Sequence, residues 1–128
     1  MENKLDFAEK LHAIALEVEE LKEQARRDSY EADNDSAWAM FYYSEWLAAD
    51  MAAAVDKLRG VDLDTPEGAE LADDVISALA VRLYTMGASA KQAKGMRACA
   101  ALAVELSEEL DALDTAALSN KLDMRKGA

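Results

Sequence analysis

The first residues in this chain whose types and spacing could do chemistry are paired acids. Glu17 with Glu20, and Glu70 with Asp73, each stand three positions apart, which puts both carboxylates of a pair on one face of a helix. Two such pairs facing each other from neighbouring helices could hold Mg²⁺ and a triphosphate. Glu9 and His12 have the Glu-x-x-His spacing of bundle di-iron sites, which need a second such pair and two further carboxylates. The chain has one histidine, so a single protomer cannot build that site, and His12 reads as a solvent-facing or partly packed residue. The lone cysteine, Cys99, excludes a disulfide framework and a multi-cysteine zinc site. It lies on an apolar seam with no histidine-rich neighbourhood to activate it, so it reads as a buried, inert thiol. No Gly-x-Ser-x-Gly occurs, Ser44 falls on a seam, and Gly60, Gly68, Gly87 and Gly95 are isolated, so there is no phosphate-cradling loop.

The stretch LEVEELKEQAR (16–26), taken with ELADDVISAL (70–79), resembles the two acidic helices of the all-α, MazG-like nucleotide pyrophosphatases. The resemblance implies Mg²⁺ held by Glu17, Glu20, Glu70 and Asp73, with a water activated against an NTP α-phosphate. It covers about a sixth of the chain. A whole extra helix carrying both tryptophans lies between the two motifs, and the family's basic and aromatic substrate contacts have no counterpart here. The pyrophosphatase therefore stands as the alternative reading, and Mg²⁺ belongs to that alternative alone.

Composition bounds what the positioning elements can be. The 128 residues carry 26 Asp+Glu against 14 Lys+Arg, a net charge of −12, and 52% are hydrophobic. That is the length of one domain with one core, and too apolar for wholesale disorder. No apolar run approaches the roughly 20 residues of a membrane span. The N-terminus lacks the basic start and apolar stretch of a signal peptide, so with one thiol the expected location is the cytoplasm. An acidic surface repels phosphate backbones, which speaks against direct nucleic-acid binding.

Periodicity predicts an all-α, antiparallel four-helix bundle spanning 1–128 as one domain, with helices at about 4–32, 36–59, 66–86 and 89–118. The first seam is Phe7, Leu11, Ile14, Val18, Leu21 and Ala25, and Asp28 on the next seam position suggests that packing ends or splays there. Asp33-Asn34-Asp35-Ser36 is a cluster of helix-capping residues. The second seam runs Ala37, Phe41, Ser44, Ala48, Met51, Val55 and Leu58, closed by Gly60 as a left-handed cap. Thr65-Pro66-Glu67 reads as cap, first-turn proline and first-turn acid. The third helix carries Ala72, Ile76, Leu79, Leu83 and Met86 and is expected to stop at Gly87. Ser89 and Gln92 have capping-box spacing for a fourth helix on Met96, Cys99, Ala103, Leu106, Leu110, Leu113 and Ala117, with Gly95 inside it, either at a close helix–helix contact or where a partner approaches. The chain is expected to fray from about 119.

The second helix breaks the amphipathic pattern. Trp38, Tyr42 and Trp46 stack at i, i+4 and i+8 on the side away from its seam, continued by Ala49 and Ala53. Three positions for this stripe stay open: a central helix covered by the other three, an interface with a partner or second copy, or a ligand groove. Tyr and Trp anchors favour the interface. Residues 1–36 hold 11 acids against 5 bases, and Glu31, Asp33 and Asp35 stand at the start of the stripe. Lys91, Lys94 and Arg97, with Arg82 before them, could contact a phosphate or an acidic face, but are rather expected to pair with carboxylates of a neighbouring helix. The chain therefore reads as a non-catalytic protein–protein interaction module needing no cofactor. It is an acidic inhibitor or adaptor, expected to dimerise, that occupies a protein partner through Trp38, Tyr42, Trp46, Glu31, Asp33 and Asp35. A basic, nucleic-acid-binding protein is the sharpest candidate partner, by analogy with small phage-type inhibitors that offer carboxylates in place of phosphates.

Overall fold

The computed structural model describes residues 2–115, with side chains from Phe7 onward. Four helices follow one another: α1 (Glu2–Ala32), α2 (Asp35–Leu58), α3 (Pro66–Gln92) and α4 (Arg97–Asp114). Connections of two to seven residues turn each helix back on the one before. α1 packs on α2, α2 on α3, α3 on α4, and α4 closes the ring on α1. This is the antiparallel four-helix bundle that the periodicity predicts, with α1 and α3 at opposite corners.

The seams meet in one core. Phe7, Leu11, Ile14, Val18, Leu21 and Ala25 of α1, Ala72, Ile76, Leu79, Leu83 and Met86 of α3, and Cys99, Ala103, Leu106, Leu110 and Leu113 of α4 are all buried, with Met96 beside them. In α2 the seam rotates. Leu47 and Ala54 join Ala37, Ser44, Ala48, Met51 and Leu58 inside, while Phe41 and Val55 are only half-buried. The buried serines are satisfied locally: Ser44 donates to the Phe41 carbonyl at 2.6 Å and Ser107 to that of Val104 at 2.7 Å.

Two caps fall where their sequence signals stand. Asn34 caps α2, its side-chain oxygen accepting the Ala37 N–H at 2.9 Å. Thr65 caps α3 by accepting from Gly68 at 3.0 Å, with Pro66 in the first turn. Packing does not splay at Asp28, which is half-buried, and the next residue, Ser29, is fully buried.

The glycines differ from their predicted roles. α3 does not stop at Gly87 but runs on to Gln92, so Ser89 and Gln92 lie inside it and cap nothing. Gly87 is buried where α3 meets α4, and a Cβ there would sit 2.6 Å from Val104 Cγ2. The missing side chain serves packing, and the helix tolerates the cost of roughly 1 kcal/mol. Gly95 lies in the α3–α4 connection with φ +88, and a Cβ there would stand 2.7 Å from that of Ala32. The left-handed cap expected at Gly60 is absent, since Gly95 is the positive-φ glycine among the described residues. The segment 115–118 of the expected fourth helix, Ala117 of its seam, and the fraying expected from 119 lie outside the four described helices or outside the described residues.

Candidate functional site

The outer face of α2 is built at the α1–α2 corner. Asp33 takes the left-handed conformation (φ 46), which turns the chain within two residues. The Ser29 hydroxyl then lies 2.6 Å from the Ala25 carbonyl and 2.9 Å from that of Ala37, sharing its one proton between the two helices. So tight a turn sets the last aromatic of α1 against the first of α2. Tyr30 and Trp38 meet edge-on at 5.1 Å between centroids and 75° between planes. The contact continues from Trp38 to Phe41 at 6.1 Å and to Tyr42 at 6.4 Å. The Trp38 indole N–H points at the Asp33 carboxylate, 3.5 Å away.

This face is not covered. Trp46 is 68% exposed, Tyr30 65% and Tyr42 56%, while Trp38 is half-buried. Ala49 and Ala53 extend the stripe in the exposed state. A central, enclosed position for α2 is thereby corrected. Ring closure through α1 and α3 leaves the outward side of a corner helix open, whatever residues it carries. Trp38 to Trp46 spans about 12 Å of helix axis, and charge is sparse along it: Glu45 stands beside the stripe, and Asp50 pairs with Arg82 of α3. Glu31, Asp33 and Asp35 are all exposed at the corner end.

That end also carries cations. The Asn34 amide donates to the Lys94 carbonyl at 3.1 Å, which ties the α1–α2 turn to the α3–α4 turn. Lys91, Lys94 and Arg97 make no ion pair among the described residues, against the expected pairing with a neighbouring helix. Arg82 does make one, with Asp50.

The acidic pairs are arranged differently from the resemblance. Glu17 faces Glu109 of α4, and Asp73 faces Asp114 of α4. The four carboxylates Glu17, Glu20, Glu70 and Asp73 belong to α1 and α3, which are diagonal in the ring. Among the described residues no group of three or more His, Cys, Asp or Glu is placed to hold a metal ion. Burial, then the hydrogen bond and charge of Glu17 and the charge of Glu105, push Glu109 up to about 7. Burial, then Asp73, push Asp114 up to about 7, opposed by a hydrogen bond from Ser77, which stands 3.4 Å from each of its two carboxylate neighbours. One oxygen of Glu17 and one of Asp114 are buried with no partner among the described residues. Each pair can share a proton across a helix junction. Both pairs lie where α4 meets a neighbouring helix, so a shared proton there acts on helix packing.

Cys99 is buried, and burial followed by the charge of Asp28 pushes its thiol up to about 12, which leaves it protonated and inert. His12 is exposed at the edge of a groove of about 300 Å³ between the start of α1 and the end of α2. No described helix is long and apolar enough to cross a membrane. Compared with family models, with curated proteins and with solved structures, the chain matches none.

Tyr30, Tyr84 and the α4 partners Glu109 and Asp114 are the residues the sequence analysis missed. The short Asp33-Asn34 turn is the signal for Tyr30, because a two-residue connection must bring flanking side chains together. The acid pairs had no local signal, since they depend on which helices are neighbours.

Proposed function

We propose that this protein is a non-catalytic interaction module, an inhibitor or adaptor that seats a partner protein on the outer face of α2. The observation that carries this reading is the open line of aromatics Tyr30, Trp38, Tyr42 and Trp46, three of them more than half exposed. Large exposed aromatics cost solubility when uncovered, and Trp and Tyr are the side chains that supply most binding energy at protein interfaces. At the corner Tyr30 and Trp38 are already held edge-on and Tyr42 lies tilted against Trp38, so little ordering of these three rings is left for the complex to impose. Glu31, Asp33 and Asp35 rim this line at one end, and a partner with basic residues around an apolar patch complements them.

Trp38, Tyr42 and Trp46 are the anchors, and the three acids set orientation and encounter rate. A second copy is the competing occupant, since the sparsely charged stripe is a face on which two chains of charge −12 could approach. Capture from a lysate of the source cell or its host by the tagged protein, alongside sedimentation of the free protein, separates these readings. A captured protein that is lost with Tyr42→Ser/Trp46→Ser supports the module. Weakened capture by Glu31→Gln/Asp33→Asn/Asp35→Asn supports the basic partner. A free mass of twice 13.9 kDa that the stripe substitutions halve makes the stripe a dimer interface. A monomer that captures the same proteins with and without the aromatics overturns the proposal.

A further inference from the structure

The α3–α4 side carries a surface of different chemistry. The C-terminal half of α3 and the N-terminal half of α4 border an open groove of about 890 Å³. Its floor is made of Gly87, Ala88, Ala100 and Ala101, side chains too short to fill the valley between the two helices. The helices press close beneath it, because Gly87 lets the Val104 methyl and the Ala100 carbonyl approach. Tyr84 forms one wall and is 61% exposed, with Val81, one turn earlier, 64% exposed. Lys91 and Arg97 stand at the other end, and Lys94 is in the connection between them.

The clustering of these three cations is the distinctive element. Elsewhere among the described residues Lys22, Arg26, Arg59 and Arg82 are each bound to a carboxylate, Arg27 donates to the Gln24 amide, and Lys57 stands alone without a carboxylate. Lys91, Lys94 and Arg97 have no such partner among the described residues, although Asp33 and Asp35 occupy the adjoining turn. In a chain of net charge −12, a concentration of uncompensated positive charge beside an apolar floor selects for a ligand bearing acid at one end. A valley between two antiparallel helices with a floor of small residues accepts the ridge of a third helix, whose backbone can come close over Gly87 and the alanines.

We propose that the α3–α4 groove docks an acidic amphipathic helix of a partner protein, its apolar ridge over Gly87, Ala88, Ala100 and Ala101 and its carboxylates on Lys91, Lys94 and Arg97. The groove is separate from the aromatic face of α2, so the proposal does not rest on the function proposed above, and the two surfaces together would let one small bundle bridge two proteins.

The test is a titration of the isotope-labelled full chain, followed by amide NMR, with a designed 18-residue amphipathic helix carrying glutamates along one flank of an alanine–leucine face. Shifts confined to residues 81–104 are expected. Lys91→Glu/Arg97→Glu should weaken binding about tenfold, as two surface attractions become two repulsions. The same peptide with lysines in place of its glutamates should bind that variant better than it binds the wild type. This rescue would not follow from damage to the fold. Tyr42→Ser/Trp46→Ser should leave the titration unchanged. No binding at millimolar peptide, shifts centred on Trp38–Trp46, or equal affinity of the glutamate and lysine peptides for the wild type would overturn the proposal. So would a single-stranded RNA that produces the same shifts while the glutamate peptide does not.

Discussion

Raising the pH from about 5.5 to about 8.5 should loosen the hold of α4 on both of its neighbours, because at each junction a carboxyl of that helix faces another acid with which it can share a proton. Glu109 against Glu17 fastens it to α1, and Asp114 against Asp73 fastens it to α3. Burial and the facing acid push each α4 carboxyl up to about 7. A carboxyl raised in this way binds its proton more tightly in the folded chain than in the unfolded one. Its stabilisation is fully present below the ordinary carboxyl range and is lost as the pH rises through about 7. One pKa unit corresponds to about 1.4 kcal/mol, and both groups keep access to solvent, which screens the effect to about 0.5–1 kcal/mol for each pair. Together they should lower the melting temperature by about 3–8 °C for a domain of this size.

The general repulsion within an acidic chain also grows with pH, so the pairs need their own control. Glu109→Gln/Asp114→Asn replaces each shared proton by an amide hydrogen that remains at every pH. Thermal melts followed by circular dichroism at constant ionic strength should show the variant equal to the wild type only near about pH 4, below the ordinary carboxyl range, and increasingly more stable above it. Near pH 8.5 the variant should be more stable by about 1–2 kcal/mol. Parallel curves over the whole range would refute the shared protons and leave global charge as the cause of any decline.

Two further substitutions examine the turns and contacts that hold the surfaces in place. Gly87→Ala gains up to about 1 kcal/mol of helix propensity but drives a methyl into Val104 and the Ala100 carbonyl. A net loss of about 1 kcal/mol is expected in urea unfolding, recovered in Gly87→Ala/Val104→Ala. Asn34→Ala removes both the cap of α2 and the bond to the Lys94 carbonyl. It should cost about 1–2 kcal/mol and shift the indole signal of Trp38, whereas a loss below about 0.3 kcal/mol would mean that the two turns are held by other contacts.

The bundle was legible because its information is periodic. Phe7 to Ala25 and Ala72 to Met86 recur at the spacing of a helix face, and each of these seams is buried as read. Asn34 and Thr65 were legible because a cap is a local device. Gly87 and Gly95 were not, because the sequence presents both simply as glycine. One is required by a neighbouring helix and the other by a backbone angle, and only the packed structure tells these apart. The acid pairs escaped for a related reason. Spacing within a helix placed Glu17 with Glu20 and Asp73 with Glu70, whereas the ring order of the helices sets Glu17 against Glu109 and Asp73 against Asp114. Contacts between helices decide such partners, and one sequence does not state the order in which helices pack.

On α2, folding and binding make separable demands on one helix. Its core face is Ala37, Ser44, Leu47, Ala48, Met51, Ala54 and Leu58, and nothing in that packing requires Tyr42 or Trp46. Leu47 is 1% exposed and Trp46, the residue before it, is 68% exposed. Leu47→Ala should therefore cost about 2–5 kcal/mol through lost burial and a cavity. Tyr42→Ser/Trp46→Ser should stay within about 1 kcal/mol of the wild type, since neither removes much buried surface. Trp38 lies between these cases, because its ring is half-buried against Tyr30 and Phe41. An aromatic pair that can be removed without consequence for the fold has to be accounted for by something outside the fold. If the double variant melts with the wild type and loses its partner, the stripe belongs to recognition. If it melts well below, Tyr42 and Trp46 support the α1–α2 corner, and the interaction surface must be sought on another side of the bundle.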